Sequence, residues 1–112
     1  MENTKLTNGT KTRFDDLPTI TSDDYQPENQ EETDLRILGY HHFYQMGVYD
    51  AQEHIETEMR RNNVTGWRVG HANKNDVVPD DLIVYRVGQV RVHAGDQNYI
   101  LYIWKHKSTK SA

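Results

Sequence analysis

The sequence predicts an α+β fold: one main helix packed on a three- to four-stranded antiparallel sheet, preceded by an acidic, flexible N-terminal arm. Residues 82–107 are the most apolar part of the chain, and their side chains alternate with the period of two that is typical of strands. Residues 50–63 carry apolar side chains at helical spacing, with acidic residues early and basic residues late. Residues 1–34 show neither period.

Two antiparallel strands are predicted at residues 90–94 and 99–104. The polar residues 95–98 between them include Gly, Asp and Asn, which tolerate the dihedral angles of a tight hairpin loop. This loop places Val90 near Ile103 and predicts that both side chains face a buried core.

A third strand is predicted at residues 82–87, joined to the hairpin through Gly88 as either a bulge or a tight turn. The resulting meander leaves an edge strand whose N–H and C=O groups lack partners. We therefore expect association as a homodimer, unless Lys105 and Lys107 guard that edge.

The helix is predicted from Asp50 to Asn63, where Asp50 caps the first turn and Glu53 occupies the capping-box position. Its apolar residues form one narrow stripe: Ala51, Ile55 and Met59. A narrow stripe predicts that the helix touches the sheet along one line and leaves its other side in water.

Charge divides the chain near residue 34. Residues 1–34 hold nine acidic residues and three basic ones, a net charge of −6, whereas the remainder has a net charge of +2. Few large apolar residues occur in the first part, and Gly and Pro interrupt it, which indicates a disordered segment. We therefore divide the chain into an acidic arm (1–34), a small α+β domain (35–107) and a tail (108–112).

Acidic residues recur as doublets. Three doublets lie in the arm, each eight residues after the last, and a fourth precedes the sheet: Asp15-Asp16, Asp23-Asp24, Glu31-Glu32 and Asp80-Asp81. The helix adds Asp50, Glu53 and Glu56. Surfaces rich in carboxylates attract basic partners, so these acids are the predicted partner-binding residues. The alternative for the arm is a tail that only keeps the protein soluble or screens the domain.

The sequence shows none of the motifs typical of catalytic or metal sites. It has no cysteine, no glycine-rich phosphate loop and no nucleophile elbow. His41 and His42 are adjacent, and adjacent side chains of a strand point to opposite faces, so we expect no shared metal ion. There is also no apolar run of ~18 residues. We therefore expect a cytoplasmic, non-enzymatic protein without cofactor, metal or membrane contact.

In size, charge layout and lack of catalytic motif, the chain resembles the small acidic proteins with which phages occupy host DNA-binding proteins or transcription machinery. Some of those proteins mimic DNA. The resemblance implies an inhibitor that presents its acidic surface to a basic, DNA-binding host protein in the host cytoplasm.

A second resemblance is carried by residues 85–92, YRVGQVRV, followed by a polar turn, residues 99–104 and Lys105-His106-Lys107. These are similar to the C-terminal strands of RelE-type messenger-RNA-cleaving toxins. The resemblance implies that Arg91 binds phosphate and that Lys105 or His106 acts as a general acid or base. The chain lacks the basic helical hairpin that precedes the sheet in those toxins, and its acidic arm would repel RNA.

A third hypothesis is direct nucleic-acid binding through the outer face of the sheet. Arg91, His93, Tyr102 and Trp104 share that face in the predicted strands and could contact phosphates and stack on bases. The alternative is that Tyr102 and Trp104 pack beneath the helix or the N-terminal arm. The sequence pI of about 5.8 favours this alternative, because phosphate-binding domains are typically basic.

Overall fold

The computed structural model describes residues 12–23, 25, 27–92 and 97–107. These residues form an α+β fold with a four-stranded sheet and two helices, as the sequence predicts in outline. The strands are β1 (His41–Tyr44), β2 (Arg68–Asn73), β3 (Leu82–Val92) and β4 (Gln97–His106). The helices are α1 (Gln30–Asp34) and α2 (Val48–Arg61), and short 3₁₀ turns span Phe14–Asp16 and Leu35–Leu38. Neither helix is long and apolar enough to span a membrane.

The sheet has the order β1-β3-β4-β2 and is mixed, so the prediction of a wholly antiparallel sheet is wrong. β3 pairs antiparallel with β4, and β4 pairs antiparallel with β2, but β1 pairs parallel with β3. The chain between β1 and β3 includes α2 and β2, a connection long enough to let β3 run in the same direction as β1. The free edges among the described strands are therefore β1 and β2, and Lys105 lies on a central strand, where it guards no edge.

β3 is one continuous strand rather than two strands of a meander. The pairing register with β4 shifts between Arg86 and Gly88, which confirms the bulge interpretation of this glycine. A Cβ at Gly88 would lie 2.5 Å from the backbone oxygen of His41. Only glycine therefore lets β1 approach β3 at the bulge.

The hairpin register differs from the predicted one without changing which side chains face the core. β4 begins at Gln97, so that Val90 pairs with Tyr99 rather than with Ile103. Tyr99 and Ile103 are four residues apart, and a shift by an even number keeps every side chain on its face. Val90 and Ile103 are accordingly both fully buried, whereas Val92 is only half-buried.

α2 confirms the predicted apolar stripe but not the predicted cap. Ala51, Ile55 and Met59 are all buried in the core. The helix begins at Val48 with Gly47 as its N-cap, and no side chain caps it. Asp50 lies within the first turn instead, where its carboxylate faces the positive end of the helix dipole.

The described N-terminal residues, which the sequence places in a flexible arm, pack against the sheet. We call residues 12–23 the strap. Phe14 is buried on one face of the sheet against Tyr102, with ring centroids 4.6 Å apart. Ile20 is fully buried on the other face, in the core that also contains the buried stripe of α2. Between them the strap passes the edge of β3, where Ile20 N–H donates to Arg86 O at 3.3 Å and Arg86 N–H donates to Pro18 O at 3.2 Å.

The strap docks because both faces of the sheet are apolar. The α2 face contains Val90 and Ile103, whereas the opposite face contains Val84 and Ile100 and is too far from α2 to be covered by it. Phe14, together with the loop between β2 and β3, covers this second face. Burial of these side chains stabilises the packed strap, although the strap contains few apolar residues.

Candidate functional site

The predicted partner-binding acids fall into two structural classes. Some bond to other parts of the fold: Asp15, Glu31, Glu32 and Asp81. Five of the others are exposed and form no ion pair with a described residue: Asp16, Asp23, Asp50, Glu53 and Glu56. Asp80 is also exposed, but it interacts with another group. Asp24 lies outside the described residues. The predicted acids therefore do not form one continuous row. The candidate site consists of exposed acids that form no ion pair with a described residue.

Glu32 is 2 % exposed, so its carboxylate faces the interior of the fold rather than solvent. Its carboxylate accepts hydrogen bonds from the Tyr85 hydroxyl at 3.0 Å and from Glu28 N–H at 3.1 Å. The Tyr25 hydroxyl donates to the backbone oxygen of Glu32, and Glu32 N–H donates to the N-cap side chain of Asn29. These bonds satisfy a buried charge and fix α1 to β3.

Burial beside the Glu32 carboxylate raises the pKa values of two tyrosine hydroxyls, those of Tyr25 and Tyr85. It raises the pKa of the Tyr25 hydroxyl from about 10 to about 12, and the negative charge of Glu32 adds to the effect. Burial, followed by the hydrogen bond to Glu32, raises the pKa of Tyr85 further above its usual range. Both hydroxyls therefore keep their protons at any physiological pH and act as donors.

We expect the folded state to lose stability as pH rises from about 10 through 12. Unfolded tyrosine ionises near pH 10, so the folded state holds extra protons on Tyr25 and Tyr85 in this window. Their contribution is complete below pH 10 and is lost as pH passes the folded pKa, roughly 2 kcal/mol for Tyr25 alone. Urea unfolding at a series of pH values measures this decline. Tyr85→Phe should make it shallower, and an equal slope in the variant would contradict the assignment.

Glu31 and Asp15 form ion pairs that join the N-terminal acids to basic residues of the sheet. Glu31 accepts from Trp67 Nε1 at 3.1 Å and lies 3.4 Å from the Lys105 ammonium, which stands over the Trp67 ring. Asp15 lies 3.9 Å from the Arg86 guanidinium. The predicted alternative, in which the N-terminal acids screen the domain, thus describes these two residues.

The other doublets lie apart from the helix acids. Asp16 is the last residue of the 3₁₀ turn that packs on the sheet face opposite α2. Asp81 precedes β3, and its carboxylate lies 3.8 Å from His106 Nδ1. Because α2 covers the other face, the acids of α2 and those of the 3₁₀ turn do not form one surface.

The exposed acids of α2 do share one surface. Two of these acids belong to a row of four side chains along one side of the helix, spaced by four, three and four residues: Tyr49, Glu53, Glu56 and Arg60. We call this the α2 row. The Tyr49 side chain is 73 % exposed, and neither Glu53 nor Glu56 forms an ion pair with any described residue. Arg60 donates to Thr57 Oγ1 at 3.1 Å instead of pairing with Glu56.

The α2 row lies beside the free edge of β2. At one end the Tyr49 ring contacts the His71 ring, with centroids 5.2 Å apart, and His71 Nδ1 bonds to Gln52. At the other end a cleft of about 440 Å³ separates the helix from the strand. Its lining combines apolar, acidic and basic side chains: Glu56, Met59, Arg60, Val64, Trp67, Arg68, Val69 and Trp104.

The face proposed for nucleic-acid binding is partly covered. Phe14 packs on Tyr102, and the Arg68 guanidinium lies over the Trp104 ring at 5.8 Å. Arg91 Nε donates to Asn98 Oδ1 at 3.2 Å. His93 lies outside the described residues. The predicted alternative, in which N-terminal residues cover the aromatic side chains, describes Tyr102 correctly.

The residues implied by the toxin resemblance are not assembled into one site. Arg91 pairs with Asn98 at the hairpin end of the sheet, whereas His106 is at the opposite end of β4, ~26 Å away at the rise of a strand. Lys105 points to the other face and contacts Glu31. A single phosphodiester could not meet Arg91 and either proposed acid–base group.

The described residues contain no group of three His, Asp or Glu side chains arranged to hold a metal ion. His41 Nε2 bonds to Leu38 O at 2.7 Å, whereas the His42 ring contacts Tyr40, so the two imidazoles diverge as predicted. The sequence reasoning missed the α2 row because Tyr49 lay outside the predicted helix. The four-three-four spacing from Tyr49 to Arg60 was the available signal.

Comparison with models of known protein families, with curated proteins and with solved structures found no match to this chain.

Proposed function

We propose that this chain is a non-enzymatic binding protein that presents the acidic half of α2 to a basic protein. The proposal rests on three acids of α2 that lie three residues apart: Asp50, Glu53 and Glu56. All three are exposed, and none forms an ion pair with a described residue. Unpaired carboxylates repel one another and gain stability when a cation approaches, so such a row favours a basic partner.

The spacing of these carboxylates supports mimicry of DNA as the mode of inhibition. Residues three apart on a helix rise by ~4.5 Å along its axis, similar to the ~3.4 Å by which successive phosphates of one B-DNA strand rise along the axis of the duplex. A basic DNA-binding host protein would therefore meet a similar row of negative charge. Tyr49, at the end of the row, adds the kind of exposed aromatic side chain that anchors protein interfaces.

Neutralising the helix acids is expected to weaken partner binding about tenfold. A pull-down from host lysate should recover a basic DNA-binding protein, whose affinity is then measured over a salt series. The triple variant Asp50→Asn, Glu53→Gln, Glu56→Gln keeps side-chain shape and removes three exposed charges, each with a modest effect. Binding by the parent should weaken as salt rises, because the Debye length is only ~8 Å at physiological ionic strength.

The matched control is Asp16→Asn with Asp23→Asn, which removes exposed acids that are not on α2. It should bind the partner like the parent and compete equally well with DNA. If the control variant loses the partner while the α2 variant keeps it, the proposed surface is wrong. If neither variant changes the affinity or its salt dependence, the acidic-surface function is wrong altogether.

A further inference from the structure

β2 presents backbone groups along its outer edge, and no other described strand pairs with that edge. Asn73 N–H donates to Asp76 Oδ2 at 3.1 Å, and Asn73 O accepts from Asp76 N–H at 3.0 Å, so the backbone groups of Asn73 point away from β4. In an antiparallel pair, alternate residues point toward and away from the partner strand. Val69 and His71 therefore also direct their N–H and C=O groups outward, to the side opposite β4.

The cleft beside β2 shows that this edge is accessible. It is lined on one side by Met59 and Val69, which belong to the α2 face, and on the other by Trp104, which belongs to the opposite face. A space bounded by both faces of a sheet must pass around its edge. An extended chain laid along β2 would thus contact the strand, the helix and Trp104 together.

We propose that the basic partner contributes an extended segment that adds to β2 as an antiparallel strand, with basic residues alternating with apolar ones. This inference rests on the proposed function and specifies how the partner is bound. Backbone hydrogen bonds to Val69 and His71 would provide affinity, and the alternating side chains would provide specificity. Antiparallel pairing is chosen because it is the more stable arrangement per residue.

The alternation follows from the two faces of β2. A partner residue opposite Val69 or His71 has its side chain on the α2 face, beside Glu53 and Glu56, where Lys or Arg is complementary. The next partner residue lies on the other face, opposite Gly70 or Ala72.

That second face has room only for compact apolar side chains. A Cβ at Gly70 would lie 2.7 Å from the Tyr102 hydroxyl and ring, so the tyrosine already occupies the space above the strand. Its ring and that of Trp104 border the position and provide apolar contact. Valine suits this position because it is compact, apolar and favours strands.

The test uses a defined probe, the capped peptide acetyl-Lys-Val-Lys-Val-Lys-Val-Lys-amide, and two backbone-methylated isomers, with binding followed by isothermal titration. N-methylation at the lysines removes the donors aimed at β2, whereas N-methylation at the valines blocks amides that point to solvent. The lysine isomer should bind at least about tenfold more weakly than the parent peptide, because several hydrogen bonds are lost. The valine isomer should retain most of its affinity.

Variants of the chain separate this inference from the proposed function. If both methylated isomers bind as well as the parent peptide while Glu53→Gln/Glu56→Gln weakens binding, strand addition is overturned and the acidic surface stands. If the isomers differ as expected but that double variant binds unchanged, strand addition stands and the acidic surface is overturned. The Asp16→Asn/Asp23→Asn control should bind the peptide like the parent chain. Failure of the unmethylated peptide to bind at millimolar concentration overturns both.

The other occupant of a free edge is a second copy of this chain, as in the predicted homodimer. Light scattering over a dilution series is expected to show a monomer whose mass does not depend on concentration. A dimer that the lysine–valine peptide dissociates would place a second copy on β2 and overturn the assignment of that edge to a partner segment.

Discussion

Replacing Ile20 with alanine is expected to lower the free energy of unfolding by about 3 kcal/mol. Ile20 is completely buried in the core that also contains the buried stripe of α2, although it belongs to the acidic N-terminal residues. Truncation removes three carbon atoms and leaves a cavity that the rigid sheet and helix cannot fill. The loss should also release the strap from the edge of β3, where the Ile20 amide bonds to Arg86.

Urea unfolding, followed by tryptophan fluorescence, measures the loss, and Ile37→Ala is the matched control. Ile37 is 62 % exposed, so the same truncation there should change the free energy of unfolding by no more than about 0.5 kcal/mol. An Ile20→Ala variant with the parent's unfolding midpoint would mean that residues 12–23 do not contribute to the core.

Glu32→Ala is expected to cost a similar amount, about 3 kcal/mol, for a different reason. The substitution leaves the Tyr85 hydroxyl and Glu28 N–H without their acceptor in a partly buried site. A donor that loses its acceptor in such a site costs about 1–3 kcal/mol. The link between α1 and β3 is broken at the same time.

The matched control for Glu32 is Glu28→Ala, which removes an exposed carboxylate four residues earlier and leaves the Glu28 backbone donor in place. It should be nearly neutral. Glu32→Gln keeps one acceptor oxygen and should fall between the two. If Glu32→Ala unfolds at the same urea concentration as the Glu28→Ala control, Glu32 is not a structural residue and returns to the candidate partner-binding acids.

Local patterns were sufficient for the elements that bury one clear stripe. Ile55 and Met59 lie one helical turn apart, and Val90 and Ile103 follow a strand's alternation, so their burial was predictable from spacing alone. α1 also had a local signal that was overlooked. Asn29 followed three residues later by Glu32 matches the pattern of a capped helix start, and Asn29 does accept from Glu32 N–H.

The parallel strand and the strap could not be predicted in this way because their partners are distant in sequence. β1 gives no sign of whether it pairs parallel or antiparallel, since the direction depends on the length of the connection to β3. The apolar residues of the strap are isolated, and only the existence of a second apolar sheet face explains the burial of Phe14.

The same limit applies to the candidate site. Sequence spacing identified the acidic doublets but not which acids remain available. Glu31 bonds to Trp67 and Lys105, which are 36 and 74 residues away, and Glu32 is removed from solvent by Tyr85. Glu53 and Glu56 differ from these acids because no described cation pairs with them, a property of the tertiary structure that counting charges in the sequence does not reveal.

The described acidic residues of the N-terminal part pack into the fold, and we propose that β2 is left open for a partner. Amide hydrogen exchange on the free chain tests both halves at once. We predict protection at Ile20 and Arg86, whose amides form the hydrogen bonds between the strap and β3. In β2 we predict an alternating pattern, with Val69 and His71 exchanging fast and Gly70 slowly. Fast exchange at Ile20 and Arg86, together with protection at Val69 and His71, would contradict it.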